Sequence, residues 1–283
     1  MKTIEVKNLS KNFKDTRALD DVTLTFEENR IYGLLGRNGA GKSTLLNLIS
    51  NRLFPDSGSV SICGEPVLEN DRALSNLYCM SEQNLYPEGM RVEAAFQWSK
   101  EFYPDFDIEY AKGLSKKFGL RLNKKIKNLS TGYASIFKLI VALSCNVPFI
   151  LLDEPVLGLD ANHRDLFYRE LVDAYANSPR TFIVSTHLIE EVAGIIEQVV
   201  IIKEGRVILN DSMENIAAMG YCVTGPAVAI DSFTAGKKLL GENSLGGLKA
   251  AYLWGEYNGE PLPQGVELSG LDLQKLFIEL TNA

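Results

Sequence analysis

Long apolar runs are missing from this 283-residue chain. The longest, "LIVAL" and "FILL", fall far short of the ~20 residues that a helix needs to cross a bilayer. The opening "MKTIEVKNLSKNF" has no apolar stretch, so no signal peptide is expected. Cysteine is scarce: Cys63, Cys79, Cys145 and Cys222 are scattered, with no C-x-x-C pair. That excludes a dense disulfide framework and fits a reducing compartment, with small buried thiols expected rather than metal ligands. Positive charge is in deficit, 29 Lys+Arg against 36 Asp+Glu, which argues against a nucleic-acid or polybasic membrane surface. Internal repeats, low-complexity tracts and coiled-coil heptads are absent too. What remains is 46% hydrophobic and 23% charged, an ordinary globular composition of a length for one large domain or two smaller ones.

The first strands read by alternation: Ile4 and Val6 in "TIEVK", then Val22, Leu24 and Phe26 in "VTLTF". "IYGLLG" is an apolar strand ending in glycine, and "KSTLLNLIS" after it has helical spacing. "SVSIC" and "LYCM" read as further strands. From about 91 to 128 the texture becomes helical and aromatic (Phe96, Trp98, Phe102, Tyr103, Phe106, Tyr110). These rings are read as core first and as an interaction surface second. Ile136, Leu139, Ile140 and Leu143 then recur at i, i+3, i+4, i+7, a helix with one apolar face. "PFILLD" is a buried strand, "NHRDLFYRELVDAYA" a helix, "TFIVST" a strand and "QVVIIKEGRVIL" a hairpin turned at Glu204-Gly205. Strands alternating with helices imply a largely parallel sheet, with an antiparallel portion at the start. Residues 220 to 283 hold ten of the 23 glycines and read as a small appended α/β unit ending in the amphipathic helix "LDLQKLFIELT".

"GRNGAGKST", covering Gly36, Arg37, Asn38, Gly39, Ala40, Gly41, Lys42, Ser43 and Thr44, matches G-x-x-x-x-G-K-[ST] between a strand and a helix. Glycines let the backbone wrap a phosphate, so that N–H groups at the helix start form an anion nest. Lys42 can reach the β- and γ-phosphates, and the Ser43 hydroxyl can serve Mg²⁺.

"FILLDE" delivers Asp153 and Glu154 to a strand end. Asp153 suits a magnesium shell, and Glu154, pointing the other way, suits an attacking water. Alone, such a pair is usually a solvated strand end; beside a phosphate loop it reads as catalytic. His187 closes "IVSTH" at the same edge and is positioned to donate to a γ-phosphate or orient the water. His163 reads as a surface residue. In "LSTGYASIFKLIVAL", Ser130 is placed as an N-cap, and the free N–H groups of that helix start attract anions.

Taken in order, "GRNGAGKST" (Walker A), "SEQ" (Q-loop), "LSTGY" (signature), "LLDEP" (Walker B), "LGLD" (D-loop) and "STH" (switch histidine) make residues 3 to 218 resemble an ATP-binding-cassette (ABC) ATPase. The resemblance implies a P-loop NTPase of ABC type: an α/β domain over residues 1–218, with a mixed sheet core, an antiparallel β portion and a helical subdomain at about 84–145. Residues 219–283 would form the small C-terminal α/β unit. It implies ATP and Mg²⁺ as cofactors. Phe13 would stack on adenine, core packing being its alternative role. Gln83 would reach the magnesium and water, beside Ser43 and Asp153 as metal-shell residues. Asp160 would contact an opposing subunit. Each ATP would lie between one chain's Walker A and the other's Ser130 and Gly132 in a head-to-tail dimer. The signature departs from the family's L-S-G-G-Q: Thr131 stands for the first glycine and Tyr133 for glutamine.

The full length is similar to ATPase subunits of bacterial ABC exporters. That implies a cytoplasmic ATPase attached peripherally to the membrane through a separate multi-spanning subunit, docked near residues 91–128. Its second ATPase would be a copy of itself or a different chain. Two alternatives stand beside this: a soluble ABC mechanoenzyme acting on ribosomes or DNA, and an ATP-binding regulatory half of a heterodimeric transporter. One cassette, no coiled coil and an acidic balance weigh against the first. Intact Lys42, Gln83, Asp153, Glu154 and His187 weigh against the second.

Overall fold

The computed structural model describes residues 1–282. Its first sheet is antiparallel, with β1 (Thr3–Phe13), β2 (Thr16–Glu27), β4 (Ser57–Ile62) and β5 (Glu65–Pro66) in the order β2-β1-β4-β5. Pairing of Ile4 with Phe26 and of Val6 with Leu24 puts the alternating apolar residues on one buried face.

The second sheet holds β3 (Ile31–Leu35), β6 (Leu77–Met80), β7 (Phe149–Asp153), β8 (Thr181–Thr186), β9 (Gln198–Lys203) and β10 (Arg206–Ser212), in the order β10-β9-β3-β8-β7-β6. All its pairs are parallel except β9 with β10, the hairpin turned by Glu204 and Gly205 in left-handed conformation. Both faces are covered, which is why these strands read as apolar runs. Tyr32 and Leu34 pack toward the antiparallel sheet with α1 (Lys42–Ile49), and α2 (Asp71–Leu74) lies against β4 and β6. Ile31 and Leu35 pack on the opposite face.

That opposite face carries α3 (Val92–Phe102), α4 (Ile108–Lys117), a 3₁₀ turn (Ile126–Asn128), α5 (Thr131–Ser144) and α6 (Ala161–Asn177). Of the aromatics singled out above, Phe96 and Phe106 are core, whereas Phe102 is exposed. The end of α5 is closed by Arg180. Its guanidinium donates to the carbonyls of Leu143 (2.7 Å) and Cys145 (3.1 Å), a cation at the negative end of a helix. Cys79, Cys145 and Cys222 are buried thiols; Cys63 is exposed.

The helices α7 (Ile189–Val192) and α8 (Met213–Ala218) lead to a third, antiparallel sheet: β11 (Gly220–Pro226), β12 (Leu239–Leu245), β13 (Leu248–Trp254) and β14 (Glu267–Gly270), in the order β12-β13-β11-β14. The helix α9 (Ala227–Thr234) covers one face with Ile230 and Phe233. On the other face α10 (Leu273–Asn282) turns back toward the rest of the molecule, and Leu276 and Phe277 share a core with Ile189, Val192 and Ile196.

Candidate functional site

The loop from Gly36 to Gly41 leaves β3 and enters α1 at the C-terminal edge of the parallel strands. Gly41 is the N-cap of α1 with φ 110°, and a Cβ there would lie 2.5 Å from the Ala18 carbonyl. Only glycine fits a left-handed cap pressed against a neighbouring strand. The turn of the β9–β10 hairpin backs the loop, with the Gly205 N–H donating to the Ala40 carbonyl at 2.9 Å. Arg37, Asn38, Gly39 and Ala40 line a pocket whose far wall includes Thr281 of α10. Ser43 is exposed and Thr44 half-buried at the head of α1.

Lys42 is buried, and its ammonium donates to the Gly36 carbonyl at 2.7 Å and to that of Arg37 at 3.4 Å. Glu154 Oε1 lies 3.6 Å away. Burial pushes the Lys42 pKa down, against the pull of Glu154 and Asp153, which favour the charged form.

Asp153 and Glu154 leave β7 toward different partners. Asp153 Oδ1 accepts a hydrogen bond from Ser185 Oγ at 3.0 Å. Glu154 sits at φ +47°, a conformation unfavourable for its side chain. Its N–H donates to the Ser185 carbonyl at 2.9 Å, which fixes the turn. Both its carboxylate oxygens lie 3.0 Å from Nδ1 of His187. So Lys42, Asp153, Glu154 and His187, read separately from the sequence, converge at one sheet edge. Ser185, which braces both acids, was not legible as a site residue.

Gln83 is exposed. The segment before it is pinned by Lys138 of α5, whose ammonium donates to the carbonyls of Ser81 (2.9 Å) and Glu82 (2.8 Å). Phe13, at the tip of β1, is 43% exposed; a core role is thereby excluded. Ser130 caps α5, accepting from the Tyr133 N–H at 3.4 Å. The start of this helix is held against the turn after β7: Ser135 Oγ donates to the Leu157 carbonyl at 3.1 Å. A Cβ at Gly132 would lie 3.0 Å from the Gly158 carbonyl. Glycine at 132 thus has an internal cause, beyond any ligand.

Asp160 caps α6, accepting from the His163 N–H at 3.0 Å and lying 2.7 Å from its ring Nδ1. These bonds hold the Asp160 carboxyl below its ordinary pKa. His163 is part-exposed at the surface, and its side chain is packed as well. Its ring stacks on Phe118 and meets Tyr133 edge-on, linking α4, α5 and α6.

A phosphate loop, an adjacent acidic strand end and a histidine at the next strand end define a P-loop ATPase of cassette type. Comparison with known proteins narrows this. The family model described as "ABC transporter" matches residues 19–157. Nod factor export ATP-binding protein I of Burkholderia lata is 31% identical, over 72% of this chain and 68% of its own length. The ABC transporter ATP-binding protein YtrB of Bacillus subtilis is 33% identical over 67% of this chain, and the match spans 65% of YtrB. Among solved structures, an ATP-binding subunit of an ABC transporter superposes with TM-score 0.68 and 26% identity, over 75% of this chain and 91% of its own. The dimeric, ADP- and Pi-bound cassette MJ0796 superposes with TM-score 0.66 over 74% of this chain and 98% of its own, at 24% identity. The chain belongs to the ATP-binding proteins of the ABC transporter family.

Proposed function

We propose that this chain is the ATPase of a bacterial ABC exporter, a cytoplasmic subunit that powers a separate multi-spanning membrane subunit by ATP-driven dimerisation. The carrying observation is the convergence of Lys42, Asp153, Glu154 and His187 beside the glycine-rich loop. Export is supported by the relative named Nod factor export ATP-binding protein I. Attachment through a partner accords with the described residues, among which no helix is long and apolar enough to cross a membrane. A row of rings, Tyr86, Trp98 and Phe102, with successive centroids 5.8 and 5.4 Å apart, supports docking on the helical side next to Gln83. In this reading residues 1–218 are the ATPase domain, with its helical subdomain at about 84–145, and 219–283 an accessory unit.

ATP would lie with its phosphates on the N–H groups of residues 36–44 and its adenine against Phe13. Lys42 would exchange the Gly36 carbonyl for phosphate oxygens. Glu154 would take a proton from, or orient, the attacking water, and His187 would hold Glu154 in place and donate to the γ-phosphate. Ser43, Gln83 and Asp153 offer hydroxyl, amide and carboxylate oxygens, a set that fits Mg²⁺, which ordinarily takes few protein ligands beside phosphates. When bound, the cation neutralises charge on the β- and γ-phosphates. Ser130 and Gly132, held against the 157–160 turn, would close on the γ-phosphate of the opposing chain, and Asp160 would meet that chain at the same seam. The partner is a second copy or a different ATPase subunit.

The test uses the full chain carrying Glu154→Gln, in size-exclusion chromatography with light scattering. ATP with Mg²⁺ should convert a monomer to a dimer, because the nucleotide joins the halves and hydrolysis cannot release them. ATP binding without a dimer would overturn self-pairing and point to a different ATPase partner. No ATP binding would overturn the functional reading.

A further inference from the structure

Behind the Glu154–His187 pair lies a polar cluster that the hydrolysis site does not use. Arg164 stands one turn into α6, its N–H donating to the carbonyl of the cap residue Asp160 at 3.0 Å. Glu191 lies on α7, four residues beyond His187. The Arg164 guanidinium donates through Nη1 to Glu191 Oε1 across the gap between the two helices. Tyr168, one turn further along α6, is 8% exposed. Among the described residues, Tyr168 OH, Arg164 Nε and Glu191 Oε2 are buried and have no hydrogen-bond partner. The phenol is pushed well above its ordinary pKa, first by burial and then by Glu191, with Glu154 also contributing.

This is an inefficient way to join two helices. The two side chains are 30% and 28% exposed, and a partly exposed ion pair adds little stability of its own. Each buried polar atom left unpartnered costs stability. What the pair does supply is one fixed geometry between the start of α6 and the segment that carries His187.

We propose that Arg164 and Glu191 are positioning residues for ATP hydrolysis: their ion pair, backed by Tyr168, holds α7 against α6 and so keeps the His187 ring on the Glu154 carboxylate. The Nδ1 contact to both Glu154 oxygens requires the ring to face the carboxylate squarely. The α7 helix spans only four residues, with no side-chain cap of its own, and cannot set that orientation alone. The pair joins α6 to α7, the helix that follows His187, so it is expected to act on turnover more than on nucleotide affinity. The inference rests on the roles of His187 and Glu154 given above.

Single-turnover release of labelled phosphate from ATP keeps slow variants measurable, and steady-state assays give kcat and KM. Arg164→Ala and Glu191→Ala should each lower kcat about tenfold with KM for ATP changed less than about threefold. The isosteric Glu191→Gln, which removes the charge and keeps the volume, should do the same if a truncation variant folds poorly. Arg164→Lys, which keeps the charge, should recover most of the rate. Because the pair acts through His187, adding Glu191→Ala to His187→Ala should slow the reaction by less than about twofold further. A full tenfold further loss in that double variant would overturn the proposal, as would a rise in KM with kcat unchanged. So would rates that follow only the folded fraction in thermal melts. Wild-type turnover in His187→Ala alone would overturn the reading of His187 itself.

Discussion

The ammonium of Lys42, at the start of α1, and the carboxylate of Glu154, just past the end of β7, lie 3.6 Å apart, the acid helping to keep the buried base charged. Two substitutions should therefore divide cleanly. Glu154→Gln should keep ATP binding and lower hydrolysis by roughly 10²- to 10⁴-fold. Lys42→Ala should weaken binding itself, since on the proposed reading it removes the cation that would meet the phosphates. Fluorescent-nucleotide titration and phosphate release on both variants check this; equal hydrolysis in wild type and Glu154→Gln would count decisively against Glu154.

Ser185 gives its hydroxyl to one oxygen of Asp153 and its carbonyl to the Glu154 N–H. Only the hydroxyl is lost in Ser185→Ala. A hydrogen bond to a charged group contributes about 1.5–3 kcal/mol, and solvent recovers part of it at a half-exposed acid. The Mg²⁺ concentration for half-maximal ATPase activity should rise about tenfold, with metal-free ATP binding unchanged. A magnesium titration of both proteins measures it.

A Cβ at Gly132 would press on the Gly158 carbonyl at 3.0 Å, whereas the Thr131 methyl would lie an ordinary 3.5 Å from a Cβ built on Gly158. Thr131→Gly should change turnover by less than about tenfold, ~1.4 kcal/mol in barrier. Gly132→Asp should abolish turnover and leave ATP binding at residues 36–44 nearly intact. Mixing Gly132→Asp with Lys42→Ala chains places both defects in one composite site and neither in the other, so activity should return. A dead mixture of chains shown to pair would mean that the turn does not act across the dimer.

The Asp160 carboxyl is held below its usual pKa of 3.8 by the His163 N–H and then its ring. With its folded pKa depressed, its contribution to stability is complete above the unfolded value and is lost as pH falls through the folded one. Carbon-detected NMR titration should give a midpoint below 3.8 for Asp160. In His163→Ala the backbone N–H remains, so the midpoint should move only part of the way back.

The phosphate loop, the acidic strand end and His187 were legible because each motif is local: a few consecutive residues fix the backbone and the chemistry. The antiparallel opening and the parallel sheet were legible through period-two and apolar runs. Contacts between distant segments were not. His163 reads as one more polar residue on a charged helix, and only the fold brings it to Phe118 and Tyr133. Arg164 and Glu191 look like solvated charges until α6 and α7 are packed together. In the C-terminal sheet, β12 ("LLGENSL") and β14 ("ELSG") are largely exposed and carry no clean alternation.

Glu154 occupies a left-handed backbone position at which asparagine or glycine would sit more easily. Relief of such strain is worth on the order of 1 kcal/mol. Selection for thermal stability alone, applied to a library of variants of this protein, would therefore enrich asparagine or glycine at 154 and discard the acid. Only selection that also demands ATP turnover would hold glutamate there. On the catalytic role proposed for Glu154, the position records a conflict between what the backbone prefers and what the chemistry would require, resolved in favour of the chemistry.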